Sequence, residues 1–128
     1  MPEERIGKKI LLAEDDAFLS SLIQNRLERE GFSITSVANG NAVIPAIKKE
    51  HPALVLLDII LPEKLGFAIL QEVKSDPVLA KTPFMIISNL AQPSDVQKAK
   101  DFGCIEYFIK SKIKIDDLVT GVVKFLAN

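Results

Sequence analysis

The sequence predicts an α/β domain, a (βα)5 three-layer sandwich built on a doubly wound parallel sheet. Two observations carry this. Five short apolar runs alternate with five longer segments of helical character along the chain. Strands separated by helices of that length pair in parallel through right-handed crossovers, which put helices on both faces of the sheet. The third run, Leu54-Val55-Leu56-Leu57, is continuously apolar rather than alternating. That is the pattern of a strand buried on both faces. Such a sheet can take the strand order 2-1-3-4-5.

Taken in order, residues 1–7 are polar, with a proline and a glycine, and are expected to form a flexible tail. Residues 8–128 are expected to be a single domain. Strand one is residues 8–13 (KKILLA), stopping at Glu14-Asp15-Asp16. Phe18, Leu19, Leu22, Ile23 and Leu27 recur at helical spacing, with Asp16 suited to cap the helix start and Gly31 its end. Strand two is residues 32–37, rich in β-formers. Asn39-Gly40 opens a second helix over 41–49. Pro45 interrupts it, and a proline in a helix interior costs about 3 kcal/mol. The helix therefore either starts late, with Pro45 in its first turn, or is kinked.

His51-Pro52 ends that helix, and His51 is expected in a surface turn. Strand three is residues 54–57, with Asp58 at its tip, and 62–66 form a loop. Phe67, Leu70 and Val73 mark the third helix, which ends near Ser75-Asp76-Pro77. Strand four is 83–87 (PFMII), followed by Ser88-Asn89. The fourth helix, 93–102, has few apolar residues (Val96, Ala99, Phe102) and is expected to be the least firmly held. Strand five is 104–109, ending at Lys110, with Cys104 placed in the core. The last helix, 115–126, carries the stripe Ile115, Leu118, Val119, Val122 and Leu126.

Composition excludes several classes. The formal charge is -1, so no basic field draws nucleic acid or an anionic membrane. The one cysteine allows no intramolecular disulfide and there is no zinc-type cluster. No apolar run approaches the roughly 20 residues that span a bilayer, and the N-terminus does not read as a signal peptide. The expected location is cytoplasmic.

In a parallel sheet the strand ends lie along one edge, where ligands collect in such folds. Here that edge carries Glu14-Asp15, Asp58, Ser88 and Lys110. In the 2-1-3-4-5 order, strands one and three are neighbours at the switch point, so three carboxylates converge. Close carboxylates repel unless something positive lies between them. An all-oxygen cluster suits a hard cation, and Mg²⁺ takes one or two carboxylates together with waters and a phosphate. Lys110 and the Ser88 hydroxyl would hold phosphoryl oxygens, and an Asp can be the nucleophile that forms an aspartyl phosphate.

The segments ILLAEDD (10–16), LVLLDIILPEKLG (54–66), PFMIIS (83–88) and GCIEYFIK (103–110) together make the chain resemble the receiver domain of two-component response regulators, a flavodoxin-like fold. The resemblance implies that Asp58 accepts a phosphoryl group from a phosphohistidine of a sensor histidine kinase or histidine phosphotransfer protein. It implies that Asp15, Asp58 and the carbonyl of Ile60 bind Mg²⁺, with Glu14 helping through water. Ser88 and Lys110 are assigned to the phosphoryl oxygens, and Tyr107 falls at the aromatic switch position. Phosphorylation would reshape the face of helix four, strand five and helix five toward a downstream protein target, as a monomer or a phosphorylation-linked dimer. Such a domain catalyses only its own phosphorylation and dephosphorylation.

Four positions depart from the family pattern. Ser111 replaces the usual proline after the lysine, which predicts a trans peptide and a less well aimed Lys110. Asn89 replaces a small residue and is expected to crowd Asp58. Lys64 and Leu65 exchange the usual polarity before Gly66. These departures motivate the alternative reading of a degenerate receiver that docks proteins without phosphorylation. A metal-dependent phosphohydrolase ranks below both, because position 60 is Ile rather than a second Asp. Nucleotide binding is disfavoured because the loop after strand one lacks phosphate-cradling glycines. Ile60 and Leu90, both apolar beside the path of attacking water, predict a slowly hydrolysing acyl phosphate. Ile105 and Ile113 are expected to be exposed near the output face.

Overall fold

The computed structural model describes residues 7–127, so the expected tail lies outside the described residues apart from Gly7. Five parallel strands stand in the order β2-β1-β3-β4-β5: β1 (Lys9–Ala13), β2 (Ser33–Val37), β3 (Leu54–Leu57), β4 (Phe84–Ser88) and β5 (Glu106–Ile109). The helices are α1 (Ala17–Arg29), α2 (Val43–Glu50), α3 (Gly66–Lys74), α4 (Pro93–Asp101) and α5 (Ile115–Leu126). Short 3-10 turns cover Gly40–Ala42 and Leu79–Lys81.

β3 is the centre, and all four of its residues are 0% exposed. Side chains alternate across a strand, so Leu54 and Leu56 point to one face and Val55 and Leu57 to the other. Leu54 and Leu56 join Ile10, Leu12, Met85 and Ile87 beneath α1 and α5. Val55 and Leu57 join Leu11, Phe84 and Ile86 beneath α2, α3 and α4. Each fully buried Leu contributes about 2 kcal/mol by transfer from water. The layers are therefore held by the apolar runs that define the strands.

Element boundaries differ from the sequence reading where backbone hydrogen bonds decide. Phe32 N–H still closes on the carbonyl of Leu27, so β2 starts one residue later. Cys104 N–H closes on Ala99 O of α4 (3.1 Å), so β5 begins at Glu106. Cys104 itself is half-buried against the core, and burial raises its thiol to about 11. β4 extends to Ser88, which makes that hydroxyl the end of a strand rather than part of a loop. Pro45 sits in the first turn of α2, where a missing N–H costs little. His51 takes a left-handed conformation (φ 49°) and ends the helix as an exposed turn residue. Asp16 caps α1, accepting from Leu19 N–H, and Gly31 follows its end with φ 101°.

Two apolar expectations are corrected. Only Ile23 and Leu27 of α1 are fully buried, while Phe18 is 80% exposed and Leu22 38%. Leu19, Ile23 and Leu27 form one i, i+4 row; Phe18 and Leu22 form a second row, one residue earlier and about 100° around the helix. Ile113 is not free on the surface, because it packs on the core beside α5. Ile105 is exposed, as expected. α4 has Ala99 as its one buried residue, consistent with its thin apolar content.

The loop after β3 is held by two close approaches. Gly40 N–H donates to Pro62 O at 2.9 Å. A Cβ on Gly40 would lie 1.9 Å from the Lys64 carbonyl oxygen. Gly66 N–H donates to Ile59 O at 2.7 Å, and a Cβ there would meet Ile59 Cα at 2.7 Å. Since overpacking costs about 1–3 kcal/mol, Gly40→Ala should lower stability by about 2 kcal/mol in urea denaturation. An unchanged midpoint would show that the loop is free to move away.

Candidate functional site

Asp58 is placed by strand register. Its N–H donates to Ala13 O at 3.0 Å, the end of the β1–β3 ladder. Its Oδ1 accepts from Ile60 N–H at 3.0 Å, which curls the loop around the carboxylate. Oδ2 accepts from Lys110 Nζ at 2.5 Å. Lys110 itself is set by the last rung of β4–β5, its N–H donating to Ser88 O at 3.0 Å. The lysine therefore crosses from the edge of the sheet to its centre.

Glu14 is 3% exposed, as is Asp58. Its Oε2 accepts from Lys110 Nζ and from Asp16 N–H, both at 2.9 Å. Its Oε1 lies 2.8 Å from Lys110 Nζ as an ion contact but makes no hydrogen bond of acceptable angle. Asp15 is exposed, yet one oxygen from each of Glu14, Asp15 and Asp58 lies within 4.8 Å of the others. Three carboxylates thus meet one ammonium, a formal excess of two negative charges. Burial pushes the Glu14 carboxyl up, against the lowering effect of Lys110 and of the Asp16 amide. Burial would pull the Lys110 ammonium down, but its hydrogen bonds to Asp58 and Glu14 prevail and raise it.

A pocket of about 270 Å³ opens beside this cluster, lined by Asp15, Asp58, Ile60, Ser88, Asn89 and Lys110. Its oxygen donors and the under-satisfied Glu14 oxygen fit a hard divalent cation. Ser88 is 0% exposed and its Oγ accepts from Leu90 N–H at 3.3 Å. Tyr107 turns toward the β4–α4 loop, its hydroxyl donating to Leu90 O at 2.5 Å. Burial raises its phenol, and Asp95 adds to this.

The structure thus brings Glu14, Asp15, Asp58, Ile60, Ser88 and Lys110 together and sets Tyr107 beside them. One expectation is overturned. The peptide before Ser111 is trans, as no cis bond occurs among the described residues, but Lys110 is aimed directly at Asp58. The turn also carries a contact the sequence does not announce: Asn89 Oδ1 accepts the Ser111 N–H at 2.9 Å. Asn89 borders the pocket but turns its carbonyl oxygen to the β5–α5 turn.

Doubly wound sheets with a polar cluster at the switch point form a broad class that works at the carboxyl edge of the strands. Within it, the chain belongs to the response regulator receiver domains, whose family model matches residues 10–122. Receiver domains are signalling modules of two-component systems, working with histidine kinases and downstream effectors, and bind Mg²⁺ at an acidic pocket. The chain is 29% identical over 103 residues to the probable transcriptional regulator ycf27 of Porphyridium aerugineum, covering 80% of this chain and 42% of that protein. It is 24% identical over 121 residues to the polar-differentiation response regulator DivK of Brucella ovis, covering 94% and 98%. The crystal structure of the phosphorylated cyanobacterial phytochrome response regulator RcpA, 29% identical, superposes with a TM-score of 0.82 over 95% of each chain. No helix among the described residues is long and apolar enough to cross a membrane.

The Glu14 shift has a consequence for stability. Because its folded pKa is raised, the folded state holds that proton more tightly than the unfolded chain. The stabilisation is present below the ordinary value of 4.5 and is lost as pH rises through the raised value. Glu14→Gln does not titrate. Its melting temperature in metal-free buffer should therefore gain on the parent's between pH 4 and pH 7. A mutant-minus-parent difference in melting temperature that stays constant or falls over that window contradicts the assignment.

Proposed function

We propose that residues 8–128 form a single phosphoacceptor receiver domain, in which Asp58 takes a phosphoryl group from a partner phosphohistidine with Mg²⁺. The observation that carries this reading is the 2.5 Å contact of Lys110 Nζ on Asp58 Oδ2 inside a cluster of three carboxylates. One carboxylate oxygen of Asp58 is the nucleophile. It attacks phosphorus in line, the phosphorus–nitrogen bond to the donor imidazole breaks, and that bond's electron pair leaves with the imidazole. Asp15, Asp58 and the Ile60 carbonyl would hold the cation, with Glu14 acting through water. The cation supplies neutralisation of the charge on the transferring phosphoryl oxygens. Lys110 and Ser88 would take the remaining oxygens, so catalysis is positioning and electrostatics.

Ser88 and Tyr107 already converge on Leu90, whose N–H and carbonyl bond to them respectively. Drawing the Ser88 hydroxyl toward a phosphoryl group would release Leu90 N–H and disturb the Tyr107 contact. α4, held by one buried residue, is the element most ready to shift. The output is a changed surface of α4, β5 and α5 that controls binding of a downstream protein. The phosphorylated state in which RcpA was solved supports the same reading. The aim of Lys110 speaks against a docking module without phosphorylation.

Incubation with phosphoramidate and Mg²⁺ should add one phosphoryl group to the parent, read by intact mass, and none to Asp58→Asn. No gain in the parent would overturn the proposal. Ile60 is 50% exposed at the pocket mouth and Leu90 is half-buried nearby, so neither offers a polar group to orient water. The acyl phosphate should therefore persist for minutes or longer, and Ile60→Asn should shorten its life. Loss within seconds from the parent would contradict this.

A further inference from the structure

The turn after β5 accounts for each of its amides. Lys110 N–H donates to Ser88 O at 3.0 Å, and Lys112 and Ile113 N–H both close on Ile109 O, at 3.0 and 2.9 Å. Ser111 N–H goes outside the turn, to Asn89 Oδ1 at 2.9 Å. Asn89 and Ser111 are the two departures that flank the functional Ser88 and Lys110. A proline at 111 has no N–H and would leave the Asn89 carbonyl without this donor. The two departures are thus complementary: one supplies a donor that the other accepts.

We propose that Asn89 is a positioning residue, which latches the β5–α5 turn through Ser111 N–H and so aims the Lys110 ammonium at Asp58. The latch joins the loop bearing Ser88 to the turn bearing Lys110 across 22 residues of sequence. With the strand rung Lys110 N–H to Ser88 O, it makes two parallel ties between the same two segments. The β4–β5 ladder ends at that rung, and the latch adds a tie one residue further on, within the turn itself. The lysine side chain spans from that turn to both Asp58 and Glu14, so a small rotation of the turn moves its ammonium off them. The rate consequence rests on the phosphoacceptor reading of Asp58, whereas the latch itself does not.

The test compares the parent with Asn89→Ala, Asn89→Asp and Ser111→Ala. Two quantities are read: exchange of the Ser111 amide by NMR, and the rate of phosphorylation by phosphoramidate with Mg²⁺. Asn89→Ala should speed Ser111 exchange by about tenfold. It should slow phosphorylation by about tenfold, as misaimed catalytic groups do, at an unchanged melting temperature. Asn89→Asp keeps an acceptor and should restore the protection of the amide. Ser111→Ala keeps the N–H and should leave both readouts at parental values. In a Ser111→Pro background, Asn89→Ala should be silent.

Unchanged Ser111 exchange in Asn89→Ala overturns the latch. Faster exchange with a parental phosphorylation rate overturns the positioning role. A parent that accepts no phosphoryl group at all contradicts the reading of Asp58 instead, and the exchange result then decides the latch by itself.

Discussion

The ammonium of Lys110 lies between Asp58 and Glu14, and the edge of the sheet is organised around that contact. Two carboxylates that are each 3% exposed lie side by side, which is costly without a compensating charge. A single lysine supplies it, reaching from the last strand to the central two. Removing one partner of such a buried group typically costs about 3–5 kcal/mol, because the other charge is then left uncompensated. The site is therefore a point where the fold tolerates electrostatic tension rather than one that stabilises it. Burial raises the Glu14 carboxyl even with Lys110 beside it, in keeping with this. A divalent cation among the three carboxylates would relieve the same tension.

The sheet makes that arrangement precise in position. β1 and β3 are neighbours in register, Ala13 opposite Leu57, so the residues that follow each strand emerge together. β4 and β5 are paired through Ser88 and Ile109, so Ser88 and Lys110 emerge together as well. Four strand ends are thereby brought to one place by backbone hydrogen bonds alone. The loops that finish the site are held by contacts with little freedom: Gly40 under the β3–α3 loop, Gly66 against Ile59, and Asn89 on Ser111. The part left loosely packed is α4, next to the Ser88, Leu90 and Tyr107 contacts.

Much of this was legible in the sequence, for identifiable reasons. The continuous apolar run 54–57 could be buried only on both faces, and the amphipathic stripe of 115–126 could face only one way; both elements appear with those bounds. Alternation and the switch-point rule allowed the strand order 2-1-3-4-5, and the sheet shows it. The convergence of Glu14, Asp15, Asp58, Ser88 and Lys110 followed from parallel pairing, because every strand ends at the same edge. What was not legible has a common cause. Phe18 and Leu22 sit at helical spacing as good as that of Leu19, Ile23 and Leu27, and only packing distinguishes the two rows. Ser111 and Asn89 each read as a defect in isolation. Their hydrogen bond joins two loops that no local pattern relates, so the correct aim of Lys110 became visible only in three dimensions. Ile113 stands in a short turn with no periodic pattern to show its inward side, and only packing places it on the core.

The proposed mechanism depends on which carboxylate carries the phosphoryl group, since Glu14, Asp15 and Asp58 all border one cavity or its cluster. Borohydride reduces an acyl phosphate to the alcohol, which marks the modified carboxylate permanently for peptide mapping. After phosphorylation in Mg²⁺ and reduction, the peptide spanning residues 54–66 should contain homoserine at position 58, with Glu14 and Asp15 unchanged. Reduction at Asp15 or Glu14, with Asp58 intact, would contradict the assignment on which the mechanism rests.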